Sequence, residues 1–186
     1  MKKVIVVFVA AVLCLSLVAC DCGPSVTYRT IRASGYSYEV DSTWIEEKVH
    51  ESTYGVTYRY YPEEYQQEAP WIFVEETRLS TILALETQRE QIEELKNHFK
   101  GFIDESSGVV IKEDYSNVKE GSFGSKALMI ADYFYYVDNK LVFKGKKVVF
   151  FVSSTVFITI EYYCLSDDYN RYRNDMMRVI NSIKPL

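Results

Sequence analysis

Carboxylates are the residues of this chain whose spacing first suggests chemistry, because they occur in adjacent pairs. The pairs are Glu46-Glu47, Glu63-Glu64, Glu75-Glu76, Glu93-Glu94, Asp104-Glu105 and Asp167-Asp168. Two carboxylates that face each other across a cleft can cleave a glycosidic bond. Adjacent residues of a strand, however, point to opposite faces of the sheet. The pairs therefore favour a solvated acidic surface over a catalytic dyad.

Histidine, serine and metal chemistry have little support in the sequence. His50 and His98 lack partners at a spacing typical of a metal site, so we expect both to be solvated. The segment Gly121-Ser122-Phe123-Gly124-Ser125 lacks the Gly-x-Ser-x-Gly pattern of an exposed serine nucleophile. Residues 104–108 lack the regular acidic spacing of a calcium loop. We therefore expect no catalytic residue, no metal and no cofactor.

Tyrosine is unusually frequent, with 16 copies in 186 residues. It is an ordinary strand residue, but its apolar ring and polar tip also suit binding surfaces. The two densest groups are Tyr54, Tyr58, Tyr60, Tyr61 and Tyr65, and Tyr133, Tyr135, Tyr136, Tyr162 and Tyr163. Strand alternation places Tyr58 and Tyr60 on one face and Tyr61 on the other. We predict that one of these two sets packs inward and the other remains available to a partner.

Cys20 indicates a chemistry of a different kind. Upstream of it lie Lys2-Lys3 and an apolar run of 15 residues from Val4 to Val18, and the chain turns polar directly after it. This order is typical of a secretory signal peptide, and the run is shorter than the roughly 20 residues of a membrane-spanning helix. The residues Leu17-Val18-Ala19-Cys20 resemble the lipobox of bacterial lipoproteins, in which the cysteine is acylated on sulfur and becomes the new N-terminus. A plain secreted protein and an uncleaved anchor are the alternatives.

The remaining cysteines support this choice and raise a second question. Cys14 follows Leu13 and Cys22 follows Asp21, so neither has the small preceding residue that the lipobox requires. We predict a signal peptide over residues 1–19, a lipidated cysteine with a short tether over 20–25, and a single domain over 26–186. Outside the cytoplasm Cys22 and Cys164 could form a disulfide. Alternatively, Cys164 is an ordinary buried strand residue and Cys22 a thiol in the tether.

The charge of the chain limits its partners. The formal charge is −5, and loss of two lysines with the leader would take it to −7. An acidic domain argues against nucleic acid and against electrostatic binding to anionic lipid. We therefore expect membrane contact through acyl chains on Cys20 alone, with an unknown protein or envelope ligand as the other partner.

Hydrophobic periodicity predicts mostly strands. They are expected at 27–33, 36–40, 44–50, 54–61, 71–79, 109–118, 126–137, 146–153 and 155–165, with turn signals at Asp138-Asn139, Lys144-Gly145 and Ser153-Ser154. A 3.6-residue period predicts a helix from Ser80 or Thr81 to near Gly101 and another over 167–183. The run Val148 to Val152 is apolar on both faces, so its strand should be central and covered on both sides. Two helices packed on a mostly antiparallel, twisted sheet make an α+β sandwich.

Four features carry a resemblance to a known family. They are Gly35-Tyr36-Ser37-Tyr38-Glu39-Val40 leading to Trp44, a long helix after a strand, Gly124-Ser125-Lys126-Ala127 before the hairpins, and the closing Asn181-Ser182-Ile183-Lys184. Together they resemble the PsbP-like fold, which is shared by the PsbP subunit of photosystem II, a eukaryotic Ran-binding nuclear import factor and many small bacterial lipoproteins of unassigned function. The resemblance covers roughly residues 26–186 and implies an α/β/α sandwich. Since the family has no common enzymatic activity, it favours a binding or assembly module.

Two functional hypotheses follow from these observations. The first is an extracytoplasmic, membrane-anchored lipoprotein that binds a protein, envelope polymer or small ligand through its sheet or an aromatic groove. The second is an envelope hydrolase that acts on polysaccharide or peptide. Two convergent carboxylates in a closed cleft would favour the hydrolase, and an open aromatic patch would favour binding.

Overall fold

The computed structural model describes residues 26–65, 68–80, 84–106 and 108–186. The predictions for the signal peptide, Cys20 and Cys22 therefore lie outside the described residues. The strands are β1 (Tyr28–Ala33), β2 (Tyr36–Asp41), β3 (Ile45–Ser52), β4 (Gly55–Tyr61), β5 (Trp71–Arg78), β6 (Ile103–Asp104), β7 (Ile111–Phe123), β8 (Lys126–Val137), β9 (Lys140–Phe151), β10 (Val156–Leu165) and β11 (Lys184–Pro185). The helices are α1 (Gln88–Asn97), α2 (Tyr169–Ser182) and a 3-10 turn at Glu63–Tyr65.

The strands form two antiparallel sheets. The small sheet has the order β1-β2-β11, and the main sheet has the order β3-β4-β5-β10-β9-β8-β7-β6. Most neighbours in the main sheet are consecutive in the chain, as expected for hairpins. The exception is the pair β5 and β10, in which Arg78 lies opposite Val156.

Strand β9 lies at the centre of the sandwich. Val148 and Phe150 pack in the core on one face, and Val149 and Phe151 in the core on the other; all four are 0% exposed. The small sheet and α2 cover the first face, and α1 covers part of the second. The predictions of an α+β sandwich and of a doubly covered central strand are therefore confirmed.

The first helix is much shorter than predicted. Thr87 is its N-cap, and Thr87 and Glu90 form a reciprocal capping box. Ser80 and residues 84–86 are not helical, because the connection is held to the β9–β10 turn, with the Leu85 N–H donating to the Ser154 carbonyl at 2.9 Å. The predicted start at Ser80 or Thr81 is therefore wrong.

One strand is longer than predicted, and one predicted turn is wrong. Gly121 lies inside β7, which continues to Phe123 before the turn at Gly124 and Ser125. Lys144 and Gly145 lie inside β9, not in a turn. A Cβ on Gly145 would come within 1.7 Å of the Tyr162 carbonyl oxygen, so the glycine is needed for close strand packing.

Candidate functional site

A cluster of aromatic rings occupies the face of the main sheet that carries α1. Gly145 on β9 lies opposite both Tyr133 on β8 and Tyr163 on β10. Because glycine has no side chain, the two tyrosine rings approach each other across β9, with ring centroids 5.6 Å apart. This contact places Tyr133 and Tyr163 in the middle of the cluster.

The cluster continues in both directions from these two rings. Phe73 on β5 stacks on Tyr163 at 6.0 Å, and Trp71 meets both at right angles. On the other side Tyr115 on β7 lies 5.4 Å from Tyr133. We call the set of seven the aromatic face: Trp71, Phe73, Tyr115, Tyr133, Tyr135, Phe143 and Tyr163. It crosses five adjacent strands, a width of about 20 Å at the usual strand spacing.

Most of the aromatic face is open to solvent in part. Tyr133 is buried, whereas the other six side chains are half-buried. Helix α1 covers a different area of the same face, where Leu95 packs with Met129 and Phe151. Within the described residues, Phe99 just after α1 reaches the edge of the aromatic face, 5.7 Å from Tyr115.

A charged pair lies among the rings. Lys147 is 3.9 Å from Glu161, donates to the Tyr115 hydroxyl at 3.3 Å and lies 5.0 Å from the centre of the Tyr115 ring. Burial raises the pKa of the Glu161 carboxyl; the nearby Lys147 opposes this shift, and Glu113 and Glu75 add to it. The negative charges of Glu113 and Glu75 therefore act on a Glu161 carboxyl that is largely buried among the rings.

The tyrosines of the aromatic face are neutral hydrogen-bonding groups. Burial, followed by the negative charges of Glu161 and Glu113, raises the pKa values of Tyr115, Tyr133 and Tyr163 above the ordinary value of 10.0. A phenol with a raised pKa is protonated at neutral pH, so each of the three hydroxyls can donate and accept hydrogen bonds. The surface offers flat rings, hydroxyls and paired charges, which is the composition of a binding surface.

The tyrosines predicted from the first group lie mainly in the core. Tyr60 is 1% exposed, and its hydroxyl hydrogen-bonds that of Tyr38 at 2.8 Å. Tyr61 is 3% exposed and lies beneath the Arg59 guanidinium at 5.0 Å. The prediction that one of the two sets packs inward and the other remains available is wrong for Tyr60 and Tyr61, since both are buried although they lie on opposite faces of β4. Tyr58 alone is half-buried.

Tyr58 and Tyr60 line a groove between the two sheets. Its volume is about 300 Å³, and Tyr36, Tyr38 and the carboxylates Glu46 and Glu76 also line it. The inter-sheet groove is thus a second aromatic site, and the binding role of Tyr58 stays a prediction.

The two histidines and Cys164 were the other residues whose side chains could have a chemical role. His98 is half-buried rather than fully solvated: it packs on Phe157 with ring centres 4.8 Å apart, and burial lowers its pKa. His50 is exposed, as expected. Cys164 is buried, and burial raises the pKa of its thiol to about 12. Its pairing with Cys22 lies outside the described residues.

The described part of the chain shows neither a metal-binding cluster nor a membrane-spanning helix. There, no group of three or more His, Cys, Asp or Glu side chains could hold a metal ion. No helix among the described residues is long and apolar enough to cross a membrane.

Comparison with known proteins gives a match in fold. No family model matches the chain, and no curated protein matches it. It is similar to the solution structure of cyanobacterial PsbP (CyanoP) from Synechocystis sp. PCC 6803, with a TM-score of 0.61 over 90% of this chain and 98% of that chain. The sequences are 14% identical, so the likeness concerns the fold. The chain therefore has a PsbP-like α+β fold, as the resemblance in the sequence implied.

Proposed function

We propose that this chain is a lipid-anchored extracytoplasmic protein that acts as a non-enzymatic binding or assembly module at the cell envelope. The observation that carries the binding role is the aromatic face. Its six half-buried rings leave contiguous aromatic surface partly in contact with water, which costs free energy and on folded proteins commonly marks a contact site. The lipobox-like sequence at Cys20 supports the anchor.

Site-specific photo-crosslinking in the native membrane tests the binding role. A photoreactive phenylalanine analogue would replace Phe73, Tyr135, Tyr58 or Tyr54 in separate variants. Phe73 and Tyr135 report on the aromatic face and Tyr58 on the inter-sheet groove, while Tyr54, 72% exposed on the β3–β4 turn, is the control. We expect the same adduct from positions 73 and 135 and none from position 54.

Two outcomes would contradict the aromatic face as the contact surface. One is an adduct from position 58 but none from 73 or 135, which would place binding in the inter-sheet groove. The other is equal labelling at position 54, which would indicate random collision.

Labelling of cells with a fatty-acid analogue tests the anchor. Cys20→Ala should abolish incorporation of the analogue and release the protein from the membrane, because Cys20 has the required small residue before it. Cys22→Ala is the matched control and should be labelled like the wild type. Continued labelling of the Cys20→Ala protein would refute the assignment.

An envelope hydrolase is the second candidate, and Glu161 is the observation that favours it. A carboxyl with a raised pKa beside two other carboxyls can serve as a general acid. The Glu161 side chain is paired with Lys147 at 3.9 Å, however, and this positive charge favours the ionised carboxylate over the acid. Incubation with purified peptidoglycan distinguishes the two functions. Release of soluble fragments by the wild type and not by Glu161→Gln would favour the hydrolase over the binding module.

A further inference from the structure

A pocket on the opposite face of the main sheet has an unusual charge for this protein. It lies between α2 and strands β7 to β9 and has a volume of about 450 Å³, within the range of small-molecule sites. Its charged residues are Lys119, Lys146, Arg173 and Asp132. Three cations and one carboxylate give it a net charge of +2, whereas the whole chain carries −5.

The single carboxylate of the pocket, Asp132, already has partners within the protein. One oxygen of Asp132 forms an ion pair with Lys146, and the other accepts a hydrogen bond from the Asn117 amide at 2.6 Å. Burial by itself would raise the pKa of Asp132, but these hydrogen bonds outweigh it and hold the pKa below the ordinary value. Asp132 is therefore a carboxylate at neutral pH that serves to hold Lys146.

Strand β7 is distorted where it borders the pocket. Its register against β8 shifts between Ser116 and Lys119. Asn117 within this bulge has a φ of +52°, a left-handed conformation that asparagine tolerates better than most residues. The bulge brings the Asn117 amide to Asp132 and sets Lys119 on the rim of the pocket.

Two cations of the pocket form no ion pair with any described residue. Within the described residues, no carboxylate lies at ion-pair distance from Lys119 or Arg173. A cleft lined by one sign of charge concentrates ions of the opposite sign. A guanidinium also matches carboxylate and phosphate groups through two parallel hydrogen bonds.

The rest of the pocket wall is apolar. Ile130 on β8 and Met177 and Ile180 on α2 lie beside the cations. A ligand that fills the pocket should therefore join a charged group to a short apolar group.

We propose that this pocket binds a small organic anion, with its phosphate or carboxylate group between Lys119 and Arg173 and its apolar part against Ile130 and Met177. Such an anion could be a soluble metabolite or the headgroup region of a phospholipid. The pocket is on the sheet face opposite the aromatic face, so this binding is independent of the function proposed above.

Ligand-observed NMR on the full-length protein in an uncharged detergent tests the proposal, with n-butyl phosphate as the probe. We expect saturable binding of n-butyl phosphate and none of n-butanol. Lys119→Gln combined with Arg173→Gln should raise the Kd at least tenfold, the usual effect of removing hydrogen bonds to a charged group. Lys140→Gln is the matched control, since Lys140 is an exposed cation at the β8–β9 turn, and it should leave the Kd within twofold.

Competition distinguishes the two sources of the anion. Displacement of n-butyl phosphate by dihexanoylphosphatidylglycerol at a lower concentration than by inorganic phosphate would support a lipid headgroup, and the reverse order would support a soluble phosphate. If the double variant does not fold, each single variant should still weaken binding about threefold. Equal loss in the Lys140 control, or no loss in the Lys119 and Arg173 variants, would overturn the proposal.

Discussion

Truncation of Phe150 to alanine should destabilise the domain more than loss of any exposed ring. Phe150 is 0% exposed and contacts the rings of Tyr36 at 5.6 Å and Phe123 at 4.5 Å. Removing a buried phenylalanine loses a transfer free energy of about 1.5–3 kcal/mol, and each lost aromatic pair adds about 0.5–1.5 kcal/mol. With the cavity left behind, the expected loss is about 3–5 kcal/mol.

Urea denaturation, followed by the fluorescence of Trp44 and Trp71, measures this loss. With a slope of about 2 kcal/mol per M, the midpoint should fall by roughly 1.5–2.5 M. The melting temperature should fall by about 6–20 °C for a domain of this size. Phe150→Leu, which preserves more of the volume, should lose about 1.5 kcal/mol or less.

Phe102→Ala is the matched control. Phe102 is 53% exposed, so its truncation should change the free energy of unfolding by no more than about 0.5 kcal/mol. If Phe150→Ala were as stable as Phe102→Ala, Phe150 would not lie between two layers and the assignment of β9 as the central strand would fail. If Phe150→Ala does not fold, the free energy of unfolding of Phe150→Leu can still be compared with those of Phe102→Ala and the wild type.

Two further predictions concern β9 and its surroundings. Gly145→Ala should destabilise the domain by about 1–3 kcal/mol or more, because the new Cβ would meet the Tyr162 carbonyl oxygen at 1.7 Å. Gly121→Ala is the control, because its Cβ would meet only the Leu128 side chain, at 3.4 Å. Equal melting temperatures of the two variants would contradict the close packing at Gly145. Burial of His98 lowers its pKa below 6.5, so the unfolded chain takes up the proton first and stability should fall as the pH drops below about 6.5. His98→Gln should reduce this loss in urea titrations at several pH values, whereas His50→Gln should not, and an unchanged pH profile in His98→Gln would show that His98 is solvated.

The central strand and the second helix could be predicted from the sequence because their patterns are local. Val148 to Phe151 are apolar at every position, which identifies a strand covered on both faces without knowledge of what covers it. The sequence pattern predicts a start for α1 that is too early, because Ile82 and Leu85 fit the helical period although residues 84–86 are not helical. The capping-box pattern of Thr87 and Glu90 was present in the sequence and marks the true start.

The aromatic face could be predicted only in part. Strand alternation places Tyr133 and Tyr135 on the same face of β8, and Tyr163 on the opposite face of β10 from Tyr162. Which rings stay open depends on where α1 packs, and a helix of 10 residues, about 15 Å long, covers only part of an eight-stranded sheet. The burial of Tyr60 and Tyr61 cannot be predicted from alternation, because Tyr60 is covered by Tyr38 of β2 and Tyr61 by the Arg59 side chain.

The pairing of β5 with β10 determines the order in which the domain can fold. Growth of the chain from its N-terminus gives β3, β4 and β5 as a local meander, but one edge of β5 has no neighbour until residues 156–165 have been made. Strand β2 likewise lacks its second neighbour until Lys184 and Pro185 of β11 have been made. Helix α2, which packs on β2, ends only one residue before β11. Contacts between distant parts of a chain form slowly, because loop closure must precede them. Neither sheet can therefore be completed before residues 156–165 and 184–185 have been made, although the hairpins within β3–β5 and within β7–β10 can pair earlier.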